Sequence, residues 1–462
     1  MPTFPASFAR HRLALAAALA FALVACGGSG EDPAPPPAAT PPARDAGFGS
    51  GGETRLTFGA LGGAVGATAV QADGKLLVAG HRVLDLSNDL SPKWQAVIWR
   101  LLDNGQPDPA FGQGGEVAIA VRGIDAVEDL LLQPDGKIVA ALRVGEPCQA
   151  PGTAPIGLCF NQAGQAAFRG TSLLRLNADG TPDAAFGSAG LVTEPGANRT
   201  GAFLPRVALQ ADGRLLRLRS TSDRSVGAFG WELRRLLPDG RPDPEFSAGQ
   251  DVVSRCAVDG EALAVQPDGR VLVAGTINLS SGEPKADPGF CVERLLADGR
   301  PDPAFAVTRQ AVGAEVDVLA LRVLAGGDLL LAGSARDAGG GRLVALRLDA
   351  AGAPRSDYGQ AGVAWLPAPD SPTALRFHGA QIDAGGGVLG ATSSLASVHQ
   401  RSWARLTPSG QPDRAWATAG LLSGASLAAG ETPRRWLVDA AGRWVTIDTD
   451  DQQALVRRWR GG

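Results

Sequence analysis

The chain has 462 residues, 44% of them apolar, with 62 glycines, 33 prolines and a net charge of −4. That balance argues against a nucleic-acid polyanion as partner, because such partners select basic patches. The length exceeds one ordinary domain of about 150 residues, and among large single units the propellers and barrels reach it with many turns.

Arg10, His11 and Arg12 form a basic start, and residues 13–24 are an uncharged apolar run. The run is too short to span a bilayer but suits the apolar part of a secretory signal. It ends in Leu23, Val24, Ala25 and Cys26, which resembles a lipobox. The resemblance implies a signal peptide over 1–25 and lipidation of Cys26; bacterial lipoproteins of this type carry three acyl chains, and stable anchoring needs more than one. Gly27, Gly28, Ser29 and Gly30 read as a flexible tether, and residues 32–44 (DPAPPPAATPPAR) as an extended polyproline stalk. At ~3 Å per residue the stalk reaches about 40 Å from the lipid. Gly27 is not the Asp that signals inner-membrane retention. The expected place is therefore the outer membrane, facing the periplasm or the exterior, with 26–44 as tether and 45–462 as the folded part.

From residue 53 onward the local signals are all β. In the first repeat, strands are expected near 53–58, 66–71, 75–81 and 96–102, as apolar runs between Asp-Gly turns with no helical period of useful length. The strand ending in Gln71 is nearly all small or aliphatic and is expected to lie innermost.

The phrase VQADGKLLVAG at 70–80 returns as LQPDGKIVAA at 132–141, LQADGRLLRL at 209–218 and VQPDGRVLVAG at 265–275. It returns in weaker form at 323–333, 382–391 and 438–447. The turn glycines are Gly74, Gly136, Gly213, Gly269, Gly327, Gly386 and Gly442, at intervals of 62, 77, 56, 58, 59 and 56 residues. The long interval holds an insertion around Cys148 and Cys159. An arginine ending a later apolar run recurs as Arg100, Arg175, Arg235, Arg294, Arg347, Arg405 and Arg457. An aromatic follows the first six, as Phe111, Phe186, Phe246, Phe305, Tyr358 and Trp416. The seventh arginine has none after it; the missing copy is Phe48, within DAGFGSGG at 45–52. A linear array would want polar caps at both ends. A ring closed by pairing its ends explains this permutation, so the expected fold is all-β: a seven-bladed β-propeller of four-stranded antiparallel blades.

The paired phrases QPDGK…LVAG and NADGTPDAAFG resemble the delta-60 repeat, a bacterial secreted-protein repeat, over essentially all of 45–462. The match is specific in the first four repeats. It weakens where the first-turn Asp becomes Gly326, Gly385 or Ala441, and where Arg355 stands in place of an Asp such as Asp302. The resemblance implies a propeller and no defined activity.

Asp108, Asp183, Asp243, Asp302 and Asp413 each stand three residues before an aromatic and read as turn acceptors or arginine partners. Asn177, Asp179 and Asp183 loosely suggest a calcium loop but lack the closing bidentate Glu. Cys148, Cys159, Cys256 and Cys291 are an even set in an oxidising compartment, read as two disulfides, Cys148 with Cys159 and Cys256 with Cys291. No zinc spacing occurs, and His81, His378 and His399 fall in different repeats. No GxSxG elbow or GxxxxGK loop is present, so no cofactor is expected. Asp125 with Asp129 is a candidate glycosidase pair. Trp403, Trp416, Trp436, Trp444 and Trp459 crowd the last repeats, read as core filling at the closure or as an aromatic platform.

Taken together, these residues lead to the expectation of a membrane-anchored, non-catalytic scaffold whose propeller-face loops meet a protein or glycan. The alternative is a propeller hydrolase or lyase with a carboxylate or metal site at the central channel. Polar side chains from several blades converging on that channel separate the two.

Overall fold

The computed structural model describes residues 43–86, 93–121, 123–145, 169–194, 203–223, 228–254, 259–277, 288–313, 315–337, 340–367, 376–393, 400–417, 420–426, 432–439, 441–450 and 452–460. The chain divides into two units, Met1–Pro37 and Ala38–Gly462, and every described residue lies in the second. Cys26, Cys148, Cys159, Cys256 and His399 lie outside the described residues.

The strands form seven antiparallel blades of four. After β1 (Glu53–Thr57), blade one runs β2 (Gly63–Val70), β3 (Leu76–Asp85), β4 (Lys93–Leu101) and β5 (Glu116–Ile119). Blade two is β6 (Ile124–Leu132), β7 (Ile138–Gly145), β8 (Arg169–Leu176) and β9 (Leu191–Glu194). Blade three is β10 (Phe203–Leu209), β11 (Leu215–Asp223), β12 (Ala228–Leu236) and β13 (Val252–Val253). Blade four is β14 (Asp259–Val265), β15 (Val271–Ile277), β16 (Gly289–Leu295) and β17 (Thr308–Ala311). Blade five is β18 (Glu315–Val323), β19 (Leu329–Asp337), β20 (Gly340–Leu348) and β21 (Val363–Pro367). Blade six is β22 (Arg376–Ile382), β23 (Val388–Ser393), β24 (Gln400–Leu406) and β25 (Leu421–Ser426). Blade seven is β26 (Thr432–Val438), β27 (Trp444–Thr449), β28 (Gln453–Trp459) and, from the other end of the chain, β1. The protein is a seven-bladed β-propeller.

The second strand of each blade is sandwiched between neighbouring blades, so it is apolar along most of its length. In β15, VLVAGTI, only the last residue is not buried. Apolar side chains of adjacent blades fill the wedges between them. At the closure, Phe48, Leu56 and Phe58 join Val78 and Val97 of blade one and Ile447 and Val456 of blade seven in one cluster. The first strands β2, β6, β10, β14, β18, β22 and β26 each touch the next, and β26 touches β2. They enclose the central channel, as expected of the strand ending in Gln71.

Two turns recur. In the first, Gln71 N–H donates to the Lys75 carbonyl at 2.8 Å and Asp73 accepts Lys75 N–H. Gly74 sits there at φ 84°, a conformation that disfavours any side chain. The second is held by an arginine–aspartate–aromatic unit. Arg100 Nε donates to Asp108 Oδ2 at 2.8 Å, its Nη1 donates to the Ala178 carbonyl of blade two, and its guanidinium lies 4.5 Å from the Phe111 ring centre. The unit recurs with Arg175, Arg235, Arg294 and Arg405, each beside its own aspartate and aromatic.

Repeat five keeps the unit by exchanging charges. Elsewhere a first-turn cation sits near the aspartate, as Arg214 does at 3.0 Å from Asp243 and Arg270 at 3.1 Å from Asp302. Repeat five carries Asp328 in the cation's place and Arg355 in the aspartate's. Arg347 Nε donates to Asp328 Oδ2 at 3.0 Å, and Arg355 lies 3.7 Å from the same oxygen.

Closure uses the same unit with one correction. β1 pairs β28 antiparallel from Glu53 opposite Arg457 to Thr57 opposite Gln453. The arginine that completes the seventh unit is Arg458, not Arg457: its Nε meets Asp45 Oδ2 at 2.8 Å and its guanidinium lies 4.8 Å from the Phe48 ring centre. Arg457 faces the other side, bonding Glu53 and Asp448. One residue of offset reverses the face of a strand. The strand expected at 53–58 likewise belongs to blade seven rather than to blade one.

Phe48 is 2% exposed. Phe48→Ala is expected to cost about 3–5 kcal/mol in denaturant unfolding, as for a core aromatic. Leu61→Ala, at an exposed position, should stay within about 0.5 kcal/mol. Equal losses in the two variants would show that the N-terminal segment does not close the ring.

Candidate active site

Each innermost strand carries a register shift at one level, passing over Gly66, Glu128, Leu204 with Pro205, Glu261, Leu319, His378 and Arg434. Bulges of this kind bend a strand and re-aim a side chain. The level lies five residues before the residue that opens the first turn, as Glu128 lies before Gln133. The next position around the ring is Ala67, Asp129, Arg206, Ala262, Ala320, Gly379 and Arg435. Small residues clear the channel there, and three charged ones enter it.

A cavity of about 240 Å³ opens at this level. Its floor is Gly66, Ala67 and Thr68, with Glu128 and Asp129 on one side, Arg435 and Trp436 on the other, and Arg206, Leu319, His378 and Gln381 completing the wall. Gly66 is required: a Cβ there would stand 2.0 Å from the Val127 carbonyl oxygen.

Backbone contacts between neighbouring blades fix these groups. Asp129 Oδ2 accepts Val207 N–H of blade three at 3.0 Å. Arg206 Nε donates to the Glu261 carbonyl at 3.0 Å and its Nη1 to the Glu128 carbonyl at 3.4 Å. Glu261 Oε2 accepts Val318 N–H at 2.5 Å, and Gln381 Oε1 accepts Val438 N–H at 3.0 Å. Glu128 Oε1 lies 3.1 Å from Arg143 Nε.

Two populations of carboxylate result. Burial raises the second-turn Asp108, but the Ala110 N–H and the Arg100 guanidinium overcome it and hold the group below its ordinary value. Asp243, Asp302 and Asp45 behave alike. In the channel burial wins. It pushes Glu128 up against Arg143, Arg435 and Arg206, and pushes Asp129 up against Arg206 and the N–H groups of Val207 and Leu130. A carboxyl raised in this way can act as a general acid while protonated and, once ionised, as a base.

Of the pair expected from sequence, only Asp129 reaches the channel. Asp125 is fully buried, and its Oδ2 accepts the N–H groups of Val121 at 2.8 Å and Gly123 at 3.1 Å, capping the turn into β6. The bulge at Glu128 breaks the alternation that would put residues 125 and 129 on one face, so Asp129's companion is Glu128. His378 reaches the cavity, while His81 stacks on Trp94 at 4.3 Å. Asp183 bonds Arg175 and Asp179 bonds Thr181 within their turn; among the described residues no three His, Cys, Asp or Glu are placed to hold a metal ion. Trp403, Trp436 and Trp444 are buried in one cluster with Trp416 and Trp459 packed against it, so the tryptophans fill core, and Trp436 also lines the channel. Sequence reading missed Glu128, Arg206 and Arg435, and weighed His378 only as a metal ligand. Their signal is a charged or bulky residue four or five places before the first turn, in a strand otherwise small and apolar.

Residues 71–111, 162–186 and 266–305 match the family model described as a domain of unknown function (DUF5122) beta-propeller. These three segments are thus similar to a β-propeller repeat family. No curated protein sequence matches it. Among solved structures it is similar to the polysaccharide lyase PL25-Ulvanlyase, with TM-score 0.45 and 9% identity over 92% of this chain and 95% of that one. The β-propeller domain of the Trilobed protease from Pyrococcus furiosus gives TM-score 0.46 and 10% identity over 87% and 95%. The α-L-arabinanase of Penicillium chrysogenum gives 0.39 and 9% over 88% and 98%. The expectation of a non-catalytic scaffold is corrected here. The solved structures similar to this chain include a polysaccharide lyase and an arabinanase. At these identities they show the fold alone, and the argument for chemistry rests on Glu128, Asp129, Arg206, His378 and Arg435 meeting from four blades.

A carboxyl raised by folding contributes stability that is full below the ordinary carboxylate range and lost as pH rises through the raised value. Asp129→Asn keeps an acceptor for Val207 N–H and removes the charge. Its Tm should therefore match the parent near about pH 4 and exceed it increasingly toward about pH 8. A gap that shrinks with rising pH would contradict the burial of a charged Asp129.

Proposed function

We propose that the protein is an acid–base enzyme of the hydrolase or lyase kind, cleaving a glycosidic bond at the mouth of its central channel. The observation that carries this reading is the adjacent Glu128 and Asp129, raised by burial yet lining an open cavity between two arginines. One carboxyl protonates the leaving oxygen; the other, ionised, activates water or takes a carbon-bound proton. Both groups stand on a bulged strand of a rigid ring, which holds them in place without a flexible loop.

Asp129→Asn and Glu128→Gln should each lower kcat by about 10²–10⁴-fold on a cleaved glycan while Tm stays at or above the parent's. The parent's rate should fall as pH rises past the raised carboxyl value, because the acid then loses its proton. Unchanged turnover in both variants would sink the assignment.

We also read the chain as a delta-60-type lipoprotein of the cell envelope, with residues 1–25 removed, lipid on Cys26 and 26–44 as the tether to an outer-membrane leaflet. The expected partners are the membrane, through the anchor, and a glycan. Cys291 is buried and disulfide-bonded, which supports its pairing with Cys256; Cys148 with Cys159 follows from their shared insertion. Cys26→Ser should move the protein from the carbonate-washed membrane fraction to the soluble one, and retention in the membrane would overturn the anchor.

A further inference from the structure

We propose that the channel selects an anionic sugar, gripping a carboxylate or sulfate substituent between Arg206, Arg435 and the indole N–H of Trp436. The proposal rests on the acid–base reading above and names the substrate class of that site.

Three observations lead to it. First, of the seven residues that follow the bulges, the only long cationic ones are Arg206 and Arg435; Ala67, Ala262, Ala320 and Gly379 leave the space they project into. Secondly, Arg206 is pinned by two neutral carbonyls, those of Glu128 and Glu261, on the blades flanking its own. Such bonds fix the guanidinium, and the carboxyls that act on it, Asp129 and Glu128, are ones that burial raises. Glu128 has Arg143, which does not line the cavity, at 3.1 Å. Thirdly, Trp436 is 8% exposed and lines the same cavity, yet its Nε1 has no hydrogen-bond partner among the described residues. The absent side chain of Gly379 makes room for it, since a Cβ there would stand 2.6 Å from that nitrogen. A buried donor without an acceptor is a desolvation cost that a ligand acceptor supplied there removes.

Arginine and tryptophan donate and cannot accept. A site with two guanidiniums and an indole N–H therefore selects a ligand rich in acceptors and negative charge. Guanidinium geometry suits the paired oxygens of carboxylate and sulfate alike. The cavity of about 240 Å³ is lined by Asp129 as well as by the arginines, so a ring held there by its anionic group brings its glycosidic bond to the carboxyl pair.

Binding should be measured by calorimetry in full-length Asp129→Asn protein, so that no turnover occurs, with three oligosaccharide probes: oligogalacturonate, sulfated dextran and plain dextran. The expected result is binding of at least one charged probe, weakened by salt, and roughly ten- to a hundredfold weaker binding of plain dextran. Arg435→Gln should lose a similar factor. Trp436→Phe, which keeps the aromatic ring, should lose affinity without loss of Tm. The arms separate carboxylate from sulfate. Plain dextran bound as tightly as the charged probes, no binding of either charged probe, or full affinity in both variants would overturn the inference. A parent enzyme that cleaves neutral glycans would refute it while leaving the acid–base reading intact. Tight binding of a charged probe that the parent never cleaves would do the reverse.

Discussion

The arginine that ends the third strand of each blade carries the architecture. Its guanidinium bonds an aspartate in its own second turn, covers an aromatic ring, and donates to a carbonyl of the next blade, as Arg175 does to Asp183, Phe186 and Pro238. A backbone bond runs alongside, as from Gly112 N–H to the Asp179 carbonyl. One buried ion pair therefore fixes a turn and a neighbour together. Removing one partner of such a pair strands a charge in the core, at about 3–5 kcal/mol. Repeat five shows how strong the constraint is: where the aspartate is lost to Arg355, Asp328 supplies the carboxylate from the other turn. The ring's ends meet through the same device, with Asp45 and Phe48 reaching Arg458 from more than 400 residues away in the chain.

With adjacent blades tied at their outer turns, the innermost strands are free to differ. Each is short, small-residued and bulged at the same level, and the residues there range from glycine to glutamate. The channel is where local consistency breaks down: two carboxyls are held above their ordinary value by burial, and the Trp436 indole N–H has no acceptor among the described residues. Natural proteins break such rules at functional sites and compensate elsewhere. Here the compensation is the repeated pairing at the rim, where carboxylates sit below their ordinary value beside arginines.

Seven equivalent positions around a channel also explain how the site is asymmetric. Charge enters from blades two, three and seven, while blade one, which lies between the carboxyl pair and Arg435, contributes Gly66 and Ala67. That gap is the cavity. Acid, base and cation thus line one space made by small residues.

The sequence by itself determined the number of blades, the permutation that closes the ring and the role of the recurring aspartates. Those features are written once per repeat and rest on local turn chemistry and nearest-neighbour contacts, so comparing seven copies exposes them. It did not decide that Arg458 rather than Arg457 completes the last unit, because one residue of register turns a strand over. Nor did it decide that Asp328 would stand in for a missing partner, or that Asp129 belongs with Glu128 rather than with Asp125. The channel residues escaped for a further reason. Each is a single exception within its own repeat, and only closure of the ring brings residues 128, 206, 378 and 435 to one place. Their meeting is a long-range consequence of blade geometry and of the bulges that re-aim them, and no local pattern encodes it.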